Sequence, residues 1–169
     1  WDVHIITNRY PTSLLKQEYF DGIKIVRYHF FHSPINYIRN SRLDLLVAWL
    51  FFKPVTLFKL IIHFIRIRPN VVNIHFPDQQ LFECFILKYL FRFKLVISLH
   101  GNEVERMFYL KKKSLRWYFY NELFQSTVYI TGCSHFLLDE FQEIFSRRYS
   151  EKCFAIHNGV HEVYLTQHV

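Results

Sequence analysis

Glycine and proline are scarce. Four Gly and five Pro in 169 residues leave no Gly/Pro-rich stretch to act as a flexible linker. No internal repeat or low-complexity segment is present, which argues against solenoids and arrays. Cysteine is equally sparse. Cys84, Cys133 and Cys153 are odd in number, far apart and set among apolar residues, the pattern of reduced thiols in a cytosolic protein rather than of a disulfide framework. No two have zinc-ligand spacing, and His29 and His32 lack a Cys or His pair at the usual distance, so no metal site is expected. There is no arginine-rich arm and no RNA-binding aromatic signature, which sets nucleic acid aside as a partner. No G-x-G-x-x-G follows a strand, which sets nucleotide-cofactor oxidoreductases aside. Nor does the chain open like a signal peptide. The most apolar stretch, residues 43–67, is interrupted by Asp44, Lys53, Lys59, Arg66 and Pro54, and is expected to fall short of a membrane span.

What is abundant is apolar surface. Hydrophobic residues make up 51% and aromatics 20%, enough to bury a real core and to exclude disorder. The net charge of +7 suits a phosphorylated substrate or an anionic membrane surface. Its densest cluster is Lys111, Lys112, Lys113 and Arg116, which also reads as a solvated helix face.

Along the chain, β-branched and alternating runs predict strands at 3–7 and 23–29, the second entered through the Asp21-Gly22 turn. Helical periodicity covers 43–66, as two helices or one kinked at Pro54. Then follow a strand at 71–75, a helix at 81–93, a strand at 95–99, a long helix at 104–125 and a strand at 127–131. Ser134 is placed to cap a helix reaching about 146, before a last strand at 153–156. Strands alternating with helices imply parallel pairing. Continuous apolar strands imply a sheet covered on both faces. The expected fold is α/β: a doubly wound, mostly parallel sheet with helices on both faces, forming a single domain over 1–169. Ligands of such sheets bind beyond the carboxyl ends of the strands.

The residues there carry a resemblance. Asp2 to Thr7, the entry Asp21-Gly22-Ile23-Lys24-Ile25 and Pro69-Asn70 running into 71–75 come first. Val96 to Leu99 leading into His100-Gly101-Asn102-Glu103, Tyr129 to Ser134, and Lys152 to Ile156 leading into His157-Asn158-Gly159-Val160 follow in the same order. Together they resemble the N-terminal, Rossmann-like half of the GT-B glycosyltransferases of family four. His157 and His161 depart from its usual Pro and Asp, and its first strand and Gly-rich loop are missing. The resemblance implies the acceptor side of a retaining enzyme that moves a sugar from a nucleotide-sugar donor to a glycan or lipid-linked acceptor, of cell-surface polysaccharide or lipopolysaccharide type. It implies no cofactor, since the nucleotide sugar is substrate. It also implies that the donor-binding second domain lies outside this chain and that the chain alone is inactive. The alternative is a stand-alone Rossmann-like binding or regulatory module without catalysis.

Sugar transfer needs a held diphosphate, a held acceptor hydroxyl and a stabilised oxocarbenium-like centre. His100 closes a strand and precedes Gly101, where backbone can approach a ligand closely. By resemblance it lies beside the transferred sugar; a core histidine is the other reading. Glu103 either orients or deprotonates the acceptor hydroxyl, or opens the next helix. His75 and Asp78 are loop candidates for acceptor contact, and Arg9, with Asn8, for an acceptor phosphate. Asn158 and Gly159 form a turn that faces the interdomain cleft in the family. Trp49, Phe51 and Phe52 are expected in the core. Trp117 to Tyr120, with the lysine cluster, leave peripheral contact with an anionic membrane open, at the inner face of a cytoplasmic location.

Overall fold

The computed structural model describes residues 1–31, 41–110, 112 and 114–157. The chain divides into two compact units, Trp1–Arg68 and Pro69–Val169.

In unit 1, β1 (His4–Asn8) pairs in parallel with β3 (Ile23–Tyr28). The turn at Asp21-Gly22, both at positive φ, returns β2 (Gln17–Phe20) antiparallel to β3. The 25-residue helix α1 (Leu43–Ile67) runs unbroken through Pro54. Pro54 is tolerated on an exposed position between two anchors: Lys53 Nζ donates to Phe31 O and Thr56 Oγ1 to His29 O. Lys53, Thr56, Leu60 and Phe64 form the buried stripe at helical spacing. Phe51 and Phe52 lie off that stripe and are 68% and 47% exposed, which corrects their expected place in the core. A second correction concerns the membrane. By length and composition α1 is apolar enough to cross one, because its best 18-residue window holds no more than two charges, and only 17% of that window is buried.

Unit 2 is an α/β layer: a parallel sheet in the order β4 (Val71–His75), β5 (Lys94–Leu99), β6 (Thr127–Gly132), β7 (Cys153–Ala155), flanked by helices. These are α2 (Leu81–Leu90), α3 (Asn102–Phe108), α4 (Leu115–Ser126) and α5 (His135–Ile144). The single long helix expected over 104–125 is two, because Ser114 is extended and its side chain accepts from Trp117 N–H, starting a new helix. Ser134 caps α5 in the same way through Leu137 N–H. Ile74, Leu95, Ile97, Leu99 and Ile130 are buried on one face of the sheet. Residues that alternate with them, Asn73, His75, Ser98 and Thr131, therefore share the other face. Tyr120, Phe124, Phe141, Phe145 and Tyr149 form a buried aromatic cluster among the helices. Tyr120, left open for membrane contact, is thus core, whereas Tyr118 is 50% exposed.

Gly132 ends β6 under α5. A Cβ there would meet Leu138 Cγ at 2.8 Å and Cδ2 at 2.9 Å. Gly132→Ala is expected to cost about 1–3 kcal/mol by overpacking. An unchanged urea midpoint would contradict this close approach.

Candidate functional site

Three neighbouring strands of unit 2 place polar residues at i and i+2 near their carboxyl ends: Asn73 and His75, Ser98 and His100, Thr131 and Cys133. A register shift between Leu95 and Val96 sets Ser98 opposite Thr131; without it, Ser98 would oppose Ile130. The result is a directed chain of hydrogen bonds. Thr131 Oγ1 donates to Ser98 Oγ at 2.9 Å, and Ser98 Oγ donates to Asn73 Oδ1 at 3.0 Å. That fixes the Asn73 amide, whose Nδ2 donates to His75 Nε2 at 3.1 Å. His75 then carries its proton on Nδ1, which donates to His100 Nε2 at 3.0 Å. In this tautomer His100 is left with an Nδ1–H donor that has no partner among the described residues. Burial first, and the neighbouring His100 second, push the His75 imidazole below its usual range, the direction that favours the neutral ring of this tautomer.

The loop after β4 is rigidly tied. Gln80 Nε2 donates to the carbonyls of His75 and Phe76 at 3.1 and 2.9 Å, and Tyr120 Oη donates to Pro77 O at 2.7 Å. Burial holds the Tyr120 hydroxyl protonated, pushed up to about 12. Phe76 sits at φ 51°, a conformation that costs an aromatic residue on the order of 1–3 kcal/mol. There its ring stacks on His100 with centroids 4.1 Å apart.

Glu103 is 3% exposed, in the first turn of α3. Its Oε1 accepts the backbone N–H groups of both His100 and Gly101, so Glu103 holds the turn from behind, and Oε2 is buried with no hydrogen-bond partner among the described residues. Gly101 stands at φ 133°, where other residues are strained, with open space where a Cβ would project. Asp78 is clamped between Arg106 of α3 and Arg116 of α4 rather than solvated. The chain returns after β7 to the same rim, where His157 Nδ1 lies 3.2 Å from Cys133 O and Cys133 Sγ 3.9 Å from His100 O.

The structure thus brings His75, His100, Gly101 and Glu103 together, with Asp78 pinned on the same loop as His75. Asn8 and Arg9 belong to unit 1, where Asn8 Oδ1 accepts from Phe30 N–H and Arg9 Nε donates to Leu14 O. Asn158 and Gly159 lie outside the described residues, as do Lys111 and Lys113. Asn73, Phe76, Ser98, Arg106 and Thr131 were missed. The signal for three of them was present: a polar residue inside each of three apolar strands, two places before the loop. A cavity of about 630 Å³, lined by Asn70 and Lys94 among others, sits at the amino ends of β4 and β5, away from the edge where α/β sheets bind ligands.

Residues 1–163 match Glycosyltransferase Family 4. The chain belongs to that family. Among curated proteins none matches it. The parallel sheet flanked by helices agrees with the Rossmann-like half of a GT-B fold, and the rim around His100 is the candidate site of a glycosyltransferase-type domain.

Proposed function

We propose that this glycosyltransferase family 4 chain is the acceptor-side domain of a retaining transferase. It moves a sugar from a nucleotide-sugar donor to a glycan or lipid-linked acceptor of cell-surface polysaccharide or lipopolysaccharide type. The observation that carries this is the directed chain from Thr131 to His100, which ends in a donor with no partner among the described residues, Nδ1–H of His100, next to Gly101 and the open space where its Cβ would project. A fixed donor at that position can hold a sugar hydroxyl without reorganising during reaction. Glu103 acts here as a positioning residue, since its carboxylate holds the turn. The rim offers a diphosphate leaving group no backbone donor at His100 or Gly101, because Glu103 accepts both N–H groups. By this reading the diphosphate is held by groups outside the described residues, and the chain alone does not turn over. A cytoplasmic location peripheral to an anionic membrane is supported by the exposed Phe51, Phe52 and Phe58 on α1 and by the net charge.

The test is product stereochemistry. Full-length protein supplied with α-linked nucleotide sugars is expected to release the nucleoside diphosphate and form an α-linked product. A β-linked product overturns retention. Donor binding without transfer returns the chain to the binding-module alternative.

A further inference from the structure

The positive charge is unevenly placed. Residues 1–68 hold ten Lys and Arg against four Asp and Glu, a net +6, whereas residues 69–169 hold eleven against ten, a net +1. Within unit 1 two of these cations, Lys59 and Arg66, line one notch. Lys59, His63 and Arg66 stand at i, i+4 and i+7 on α1 and so share a helix face. With Ile62, and with Tyr28 at the end of β3, they line a notch of about 190 Å³. Lys59 and Arg66 are exposed, and the carboxylates that pair in unit 1 do so elsewhere: Glu18 with Arg27, Asp44 with Arg42, Asp2 with His4. Tyr28 Oη and His63 Nδ1 share a hydrogen bond of 3.0 Å, while His63 Nε2 is buried with no hydrogen-bond partner among the described residues.

We propose that this notch is a binding site for a phosphate group, borne by a soluble phosphate ester or by a lipid headgroup. The phosphate sits between the Lys59 ammonium and the Arg66 guanidinium, two charge-assisted contacts that no carboxylate among the described residues claims. His63 and Tyr28 complete it. When His63 takes up a proton, its Nδ1–H donates to the Tyr28 oxygen, and the Tyr28 O–H is released toward the anion. Without a ligand the surroundings oppose that proton: burial first, then His4, Lys24 and Arg66, push the His63 imidazole below its usual range. An anion in the notch reverses the sign of the local field, so phosphate binding and His63 protonation reinforce one another. This site lies within unit 1 and does not depend on the transferase reading of the rim in unit 2.

The experiment is a histidine-resolved NMR titration of the full chain with inorganic phosphate at constant ionic strength. In a parallel arm, sedimentation is measured with phosphatidylcholine vesicles with and without phosphatidic acid. The expected result is a saturable shift at His63, a raised His63 pKa in the bound state, and binding weakened about 10-fold or more in Arg66→Gln and in Lys59→Gln, as loss of one charge-assisted contact implies. Arg92→Gln, in unit 2, should bind as the unaltered chain does. Both substitutions in the notch are at exposed positions, so the chain should still fold. Tighter binding in the phosphate arm names a soluble ester as the ligand, and tighter binding to phosphatidic acid vesicles names a headgroup. A His63 shift that chloride reproduces, or that persists in Arg66→Gln, overturns the site, as does vesicle binding that ignores both substitutions.

Discussion

Replacing His100 by Ala in the proposed transferase is expected to lower kcat about 10²-fold or more while moving the urea midpoint little. The structure separates the two effects. His100 is partly exposed, and among the described residues its side chain makes one hydrogen bond, to His75. Losing that bond turns the His75 Nδ1–H over to water rather than burying it. Losing the stack on Phe76 removes an aromatic pair, worth about 0.5–1.5 kcal/mol, and also lets Phe76 relax from its positive φ. Turnover is different. The Nδ1–H of His100 is held in place by a chain reaching back to Thr131, so in the proposed site a sugar hydroxyl would meet a donor that has already been oriented. By that proposal, its removal takes away preorganisation at the reacting centre. Measuring kcat and the midpoint on one variant separates the roles. A large midpoint shift with near-normal turnover per folded molecule would make His100 a structural residue and leave the proposed site without its centre.

The second large effect belongs to the core. Phe124→Ala is expected to destabilise the chain by about 3–5 kcal/mol. Phe124 is fully buried, with ring centroids 4.8 Å from Phe141, 5.2 Å from Phe145 and 5.8 Å from Tyr149. These neighbours come from α5 and the segment after it, and hold one another in place, so they cannot collapse into the void without breaking their own ring contacts. A domain of ordinary stability has about 5–15 kcal/mol in total, so this one substitution removes a large share. Denaturant unfolding of Phe124→Ala, with Phe124→Leu as a milder variant if the first does not fold, checks it. A loss below about 1 kcal/mol in Phe124→Ala would mean the cluster repacks freely, against its close-packed geometry.

Much of this was legible before any coordinates. Each of the β4, β5 and β6 runs is short and rich in β-branched or aliphatic residues, and the helices between them imply parallel pairing. Parallel pairing alone puts the residues that follow these strands on one edge, so His75 and His100 were on a common rim from sequence order. Ser114 and Ser134 start helices by a local hydrogen bond to the third residue on, though at Ser114 the periodicity of the surrounding residues hid the break. The alternating polar positions at 73, 98 and 131 were likewise in plain view.

What the sequence alone determined, then, was the local and the ordered: strand and helix types, their sequence along the chain, and the edge where the loops collect, because period, caps and crossover geometry act over a few residues at a time. Tertiary structure decided the pairings. Asp78 read as a loop carboxylate until Arg106 and Arg116, 28 and 38 residues on, closed upon it. Glu103 read equally as a group on the acceptor hydroxyl or as the opening of a helix; in the fold its carboxylate turns back to the N–H groups of His100 and Gly101. Phe51 and Phe124 are the same residue type in helices, and only the stripe that each helix buries makes one exposed and the other core. The His100 donor exists because a one-residue register shift brings Thr131 to Ser98. Such choices depend on which of many similar side chains arrive at one point in space, and that follows from packing over the whole unit rather than from any stretch of chain.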